Sequence, residues 1–382
     1  MHPALFLQSE LQDPYAFYKI MRNENPVYWD EKNNLWAIYS YRDCIEVLQN
    51  VAVHIPSVDK NGLNEYAMSI TDQLVRLNNG NQHTIARDAV TLLTGKMKAI
   101  PIENIMTGLI TTAEIDWVDA VCKKIPVITI LKGFDFNDAD TTLIATKTTQ
   151  LIKIMLSHKT QEQLEIINEI STAVYNIVEK HLLITGMFND EIVRLTDKYL
   201  ISKEKALAFF VSNLIGLVIQ SYDAGRGILS NSLLQLLNMK DLITPGLFSK
   251  ASIEKIITET LRFDPPVQNT RRIATSTILL NNIEIKKEET ILLVLAAANR
   301  DPAKFINADV FDRERENNNE HLTFGFGNHM CIARHFSVAM ATMALTWLFT
   351  NFKKITLLEK EIAYEPLVNV RLPERILIVA QR

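Results

Sequence analysis

The chain has 382 residues, 47% of them hydrophobic and 22% charged, with a formal net charge of −4. That composition is ordinary for a globular protein and lacks the basic excess of a nucleic-acid binder, so no nucleic-acid partner is expected. The opening residues show neither the basic flank nor the apolar stretch of a signal peptide, and no run of about 18 apolar residues escapes polar interruption, so the expectation is a cytoplasmic chain without a membrane span.

In chain order, apolar residues recur at helical spacing through 12–23, 40–49, 83–94, 102–123, 141–156 and 162–183. Short β-type runs fall at 26–29 and 35–39. The longest helix is expected over 203–238, a stretch without proline and roughly 50 Å long at 1.5 Å per residue. Its apolar character predicts a buried centre. Two short strands around Asn281-Asn282, another at 290–295 and a last one at 376–379 complete the β content, before and after a helix over 332–350. The reading is a mainly α fold with a small β subdomain. Its helical body covers 64–262 and 332–350, and its β segments lie near 26–39, 273–296 and 376–379. Strands drawn from both ends of the chain predict one intertwined domain over 1–382.

The three cysteines, Cys44, Cys122 and Cys331, form no CxxC pair and are odd in number, which points away from a disulfide framework or a zinc site. Cys331 closes the run Phe324-Gly-Phe-Gly-Asn-His-Met-Cys331 and precedes an apolar helical pattern. Gly325 and Gly327 permit turns that other residues resist. A cysteine so placed at the mouth of a helix meets backbone N–H groups and a dipole that favour a thiolate, and a thiolate can serve as a proximal haem ligand. Taken alone, such a cysteine reads more readily as a small buried thiol.

The pattern Phe324-x-x-Gly327-x-His329-x-Cys331 resembles the haem-binding loop of the cytochrome P450 family. Glu259-Thr-Leu-Arg262, followed by Pro265-Pro266 and Arg272, resembles the family's ExxR helix and the strand after it, and Arg315 fits the family's third charged partner. His83-Thr-Ile-Ala-Arg87 resembles the HxxxR of an early helix, while Asp13-Pro-Tyr-Ala-Phe-Tyr and Ala298-Asn-Arg-Asp-Pro302 look like soluble bacterial members. The chain is identified on these grounds as a member of that family, and the resemblance implies its fold, with the long helix over the haem. It further implies haem b with Cys331 as axial ligand, Phe324 near the proximal face, Gly325 and Gly327 admitting N–H contacts to the sulfur, and propionates held by His83, Arg87, Arg272 and His329. The implied partners are an organic small-molecule substrate, free or tethered to a carrier, and a separate ferredoxin-type electron donor; the implied state is a monomer.

Two departures from the family pattern bear on mechanism. Registered on Ser230-Asn-Ser-Leu-Leu234, the long helix puts Asp223 at the family's acid, with Ala224 and Gly225 where threonines stand; no threonine occurs between Lys203 and Asn238. Proton delivery through a positioned hydroxyl then has to come from water, the substrate, Ser221 or Tyr222. Gly225 and Gly227 could open the helix to water, and Arg226 reads equally as an exposed polar residue or as a helper to a peroxide oxidant. After the cysteine, Ala333 replaces a glycine that lets helix and haem approach, and Arg334 and His335, with Lys96 and Lys98, suggest a basic docking face. Substrate is expected against 53–75 and 156–190, with Ile55, Met68, Val267 and Gln268 as contacts or plain packing residues. Three readings remain open: a reductase-driven monooxygenase, a peroxide-driven or substrate-assisted enzyme, and a haem-binding sensor without turnover.

Overall fold

Polar side chains at the starts of helices fix most of the boundaries. In α1 (Pro14–Glu24), Asp13 accepts from the Tyr15 N–H and a proline stands in the first turn, a pre-organised start. Strands β1 (Val27–Asp30) and β2 (Leu35–Ile38) follow, then α2 (Tyr41–Gln49), capped by Ser40, and the two-residue strand β3 (Val53–His54). Helix α3 (Glu65–Gln73) is capped by Asn64 and leads to α4 (Gly80–Lys96). The single helix expected over 102–123 is not formed. Instead α5 (Ile102–Leu109) is followed by β4 (Glu114–Asp116) and one π turn at Val118–Cys122. Helix α6 (Ile125–Gly133), α7 (Asp138–Leu151), α8 (Gln161–Thr185) and α9 (Asn189–Tyr199) come next. Thr160 and Gln163 form a reciprocal capping box at the start of α8, and Gly186 ends it at φ 59°. Helix α10 runs from Lys203 to Asn238, as the sequence predicts.

The remaining elements are α11 (Lys250–Phe263), β5 (Thr270–Ala274), β6 (Ile278–Leu280), β7 (Ile283–Ile285), β8 (Thr290–Leu293), the short α12 (Leu295–Ala298), α13 (Arg334–Asn351), β9 (Lys354–Leu357) and β10 (Leu377–Gln381). A computed structural model describes residues 3–239 and 249–382; positions 240–248 of the expected helical body lie outside the described residues.

The chain forms two compact units: Met1–His54, Pro101–Ile125 and Asp223–Arg382 make the first, Ile55–Ile100 and Pro126–Tyr222 the second. Among the described residues, all the sheets belong to the first. One has five strands in the order β1-β2-β8-β5-β3, with β2 and β8 parallel and the other pairs antiparallel. Another has the order β4-β10-β9, which explains the broken helix: β4 pairs with a strand about 260 residues later, and that long-range pairing overrides the local periodicity. The hairpin β6–β7 turns on Asn281 and Asn282, both at positive φ (49° and 63°), a conformation Asn tolerates. One core cluster of this unit gathers Trp117, the end of α10, α11 and α13. In the second unit, helices α3, α7 and α8 pack together, and Asn64 ties the start of α3 to Asn168 and Thr172 of α8. Helix α10 is apolar and long enough to cross a membrane by length and composition, and 67% of its most apolar window is buried inside the protein.

Candidate functional site

Residues 322–331 fold into a tight loop held by its own backbone. Gly325 N–H donates to Leu322 O (2.7 Å), Met330 N–H to Gly327 O (3.1 Å) and Cys331 N–H to Phe324 O (2.8 Å). Gly325 and Gly327 both occupy the left-handed region, at φ 71° and 69°, where an L side chain costs roughly 1–2 kcal/mol. A Cβ on Gly327 would also stand 3.2 Å from the Leu48 carbonyl oxygen of α2. Cys331 is half-buried. Helix α13 begins at Arg334, with Ala333 as its N-cap, so the cysteine lies two residues before the cap, at the mouth of the helix. Phe324 packs on the Trp117 core cluster of this unit and Phe326 on a second.

Behind the loop lies the charge cluster that the sequence outlined. Glu259 and Arg262, on one face of α11, are both fully buried and make a two-point contact at 2.6 and 2.9 Å. Arg262 also donates to the carbonyls of Asn299, Ala308 and Val310. Arg315 Nε reaches Glu259 at 3.3 Å, and the Asp312 N–H donates to the same carboxylate at 3.0 Å. Beside them His321 is held neutral, its pKa pushed down to about 3 by burial first and then by the Arg262 cation. Its Nδ1 accepts from the Thr323 N–H.

The middle of α10 departs from the sequence reading at Arg226. That side chain is buried, donates to both oxygens of Glu365 at 2.9 and 2.8 Å, and stands 3.4 Å from Asp223 one turn earlier. Burial raises the Asp223 pKa, Arg226 opposes the shift and Glu365 adds to it. α10 stays helical throughout, and Gly227 serves packing: a Cβ there would lie 2.3 Å from Pro266 Cβ and 2.7 Å from Leu372 Cδ2. The Ser221 hydroxyl donates back to Val218 O.

A family model described as Cytochrome P450 matches residues 252–376, the stretch that carries both the charge cluster and the cysteine loop. The biotin biosynthesis cytochrome P450 of Bacillus subtilis is 25% identical over 396 aligned positions, covering 96% of each chain. The chain is thus similar to cytochrome P450s over nearly its whole length. Among solved structures, P450BioI in complex with a hexadec-9Z-enoic acid ligated acyl carrier protein superposes with a TM-score of 0.79 at 21% identity, over 98% of this chain and 100% of that one. CalO2 gives 0.82 at 18% identity, over 97% and 96%. The protein therefore has the P450 fold.

The P450 family's cofactor is a haem, and the cysteine loop fits one. Its two left-handed glycines shape the turn that leads to the half-buried Cys331, and the thiol is the soft donor an iron porphyrin takes. In the first unit Arg272, on β5, is buried and donates to Thr270 Oγ1 and to the Arg271 carbonyl; His329 ends the turn at Gly327–His329. In the second, His83 and Arg87 sit one turn apart on α4. Burial, then the Arg87 cation, lowers the His83 pKa below its ordinary value.

The remaining sequence candidates resolve individually. Lys96 pairs with Glu191 and Lys98 with Asp135, so each expected docking lysine has an acidic partner within its own unit. Arg334 contacts Met330 Sδ and His335. Gln268 is fully buried and donates to Pro265 O at 2.6 Å, and Val267 bridges to Val370, so both are packing residues. Ile55 is fixed by Asn79, and Met68 is 39% exposed. Cys44 and Cys122 are buried thiols whose pKa burial drives upward. Sequence reasoning missed Glu365, which no motif marks.

Proposed function

We propose that this chain is a cytoplasmic, monomeric haem-thiolate monooxygenase whose two units act as one catalytic domain holding haem b through Cys331 Sγ. The observation that carries the reading is the cysteine loop, with two left-handed glycines and a backbone tied to itself around a half-buried thiol. The haem supplies oxygen activation at its iron. Phe324, Gly325 and Ala333 line its cysteine side, while Arg272, His329, His83 and Arg87 hold the propionates by charge-assisted and neutral hydrogen bonds. Asp223 holds and passes a proton, and the small Ala224 and Gly225 leave room for water beside it. The chain passes four times between the two units, which supports their acting as one domain. Electrons come from a separate ferredoxin-type protein. The enzyme inserts oxygen into an organic small molecule or couples it oxidatively, and the likeness to the carrier-protein complex supports a carrier-tethered substrate.

The reduced, carbon-monoxide-bound absorption spectrum tests this reading. A thiolate-type Soret maximum that disappears in Cys331→Ala is expected; an imidazole-type maximum in the unaltered protein overturns it. A second reading, peroxide-driven or substrate-assisted turnover, draws support from the absence of threonine on α10 and from the Ser221 hydroxyl being engaged by Val218 O. Turnover that proceeds with peroxide and is indifferent to the reductase would favour it. Consumption of a substrate that shifts the Soret band excludes a purely sensing role.

A further inference from the structure

We propose that Glu365 is a positioning residue for Asp223: by holding the Arg226 guanidinium in a two-point contact, it keeps that cation from closing fully on Asp223 and leaves the Asp223 carboxyl able to take up and release a proton. The inference rests on the reading of Asp223 as the acid of the long helix.

The geometry is asymmetric. Arg226 gives both terminal nitrogens to Glu365, at 2.9 and 2.8 Å, whereas its approach to Asp223, from Nη2, is longer at 3.4 Å. A two-point guanidinium–carboxylate contact is the strong form of this interaction, so Glu365 is the preferred partner and Asp223 the secondary one. Burial separates the roles further. The Arg226 side chain is 5% exposed, whereas those of Asp223 and Glu365 are 29% and 26% exposed, so a buried cation sits between two carboxylates that water can reach.

Glu365 owes its place to a turn over residues 363–374. Its N–H donates to Leu372 O at 2.9 Å, and the Glu374 N–H donates to Ala363 O at 2.9 Å. Leu372 in turn lies where a side chain on Gly227 would be, so the missing Cβ lets this turn approach α10 one residue from Arg226. The charged groups acting on Asp223 are Arg226 on its own helix and Glu365 on the turn. Tyr364 and Arg371 flank Glu365 but act on Asp264, and the Cys122 thiol, which senses Arg226, is kept protonated by burial. Removing Glu365 deletes a negative neighbour of Asp223 and releases Arg226 toward it, two changes that both favour the ionised carboxyl. Removing Arg226 does the reverse. The opposite signs distinguish this role from a clamp that merely fastens the turn to the helix.

The test is an infrared pH titration of the haem-loaded protein, following the protonated-carboxyl band that Asp223→Asn abolishes. Glu365→Gln is expected to lower its midpoint by about 1–3 pH units, Arg226→Gln to raise it, and Glu365→Asp to return it toward the parent value. A midpoint unmoved or raised in Glu365→Gln, in a variant whose Tm matches the parent, overturns the inference. If Glu365→Gln does not fold, Glu365→Asp and Arg226→Gln decide: shifts of like sign in the two overturn it. A band that moves as expected while the pH profile of turnover stays fixed upholds the coupling and rejects Asp223 as the proton-handling acid.

Discussion

The Glu259–Arg262–Arg315 cluster and the Asp223–Arg226–Glu365 cluster join the same chemical groups and differ in their surroundings. In the first, the central pair has no exposed surface, and every strong donor of Arg262 ends on a carboxylate or a backbone carbonyl. In the second, one buried guanidinium is shared between two carboxylates that remain about a quarter exposed. A charge cluster that is closed and over-determined can only hold structure, because any change of protonation strands a buried charge. One left open on its acidic side can change protonation without that penalty. The position of water, more than the identity of the residues, separates a strut from a switch.

Breaking the closed cluster gives the largest expected effect. Glu259→Ala strands two guanidinium groups, and loss of about 3–5 kcal/mol is expected in equilibrium urea unfolding. The open cluster is expected to respond to packing before charge. Gly227→Ala pushes a methyl group against Pro266 and Leu372, and overpacking of this kind costs about 1–3 kcal/mol. The same variant is expected to weaken the Arg226–Glu365 contact, seen as an Asp223 band midpoint shifted toward that of Glu365→Gln. A pH-dependent effect sharpens the closed side. His321 has a folded pKa of about 3 against an ordinary value of about 6.5. Between those values the unfolded chain binds a proton that the folded chain refuses, so stability falls as pH falls, by about 1.4 kcal/mol per pH unit. His321→Gln should flatten that slope in urea midpoints taken at several pH values across the window; an equal slope in both proteins contradicts a neutral, buried His321.

Much of this was legible in the sequence wherever a local signal and the tertiary environment agree. Lys203–Asn238 lacks proline and is apolar, and it folds as one helix. Asn281-Asn282 specifies a hairpin turn, and the spacing of Glu259 and Arg262 puts them on one face with Arg315 in reach. Legibility fails where a distant partner decides. The periodicity at 102–123 is real, but β10 supplies a strand edge that converts residues 114–116. Arg226 looked as suited to solvent as to burial because its partner Glu365 lies 139 positions away in an unremarkable turn.

The contact between Gly327 and the Leu48 carbonyl has a consequence for anyone who would transplant this centre. Residues 252–376 carry the family's recognisable features, and they would make an obvious fragment to excise. Yet β8 and β5 are the inner strands of their sheet, flanked by β2 and β3 from the first 54 residues, and the cysteine loop rests on α2 from the same stretch. Cut free, the fragment would present two bare strand edges, an invitation to aggregate, and a thiol loop without its floor. The portable module is a composite of both ends of the chain, and a graft that omits the N-terminal strands and α2 would carry the motif without the means to shape it.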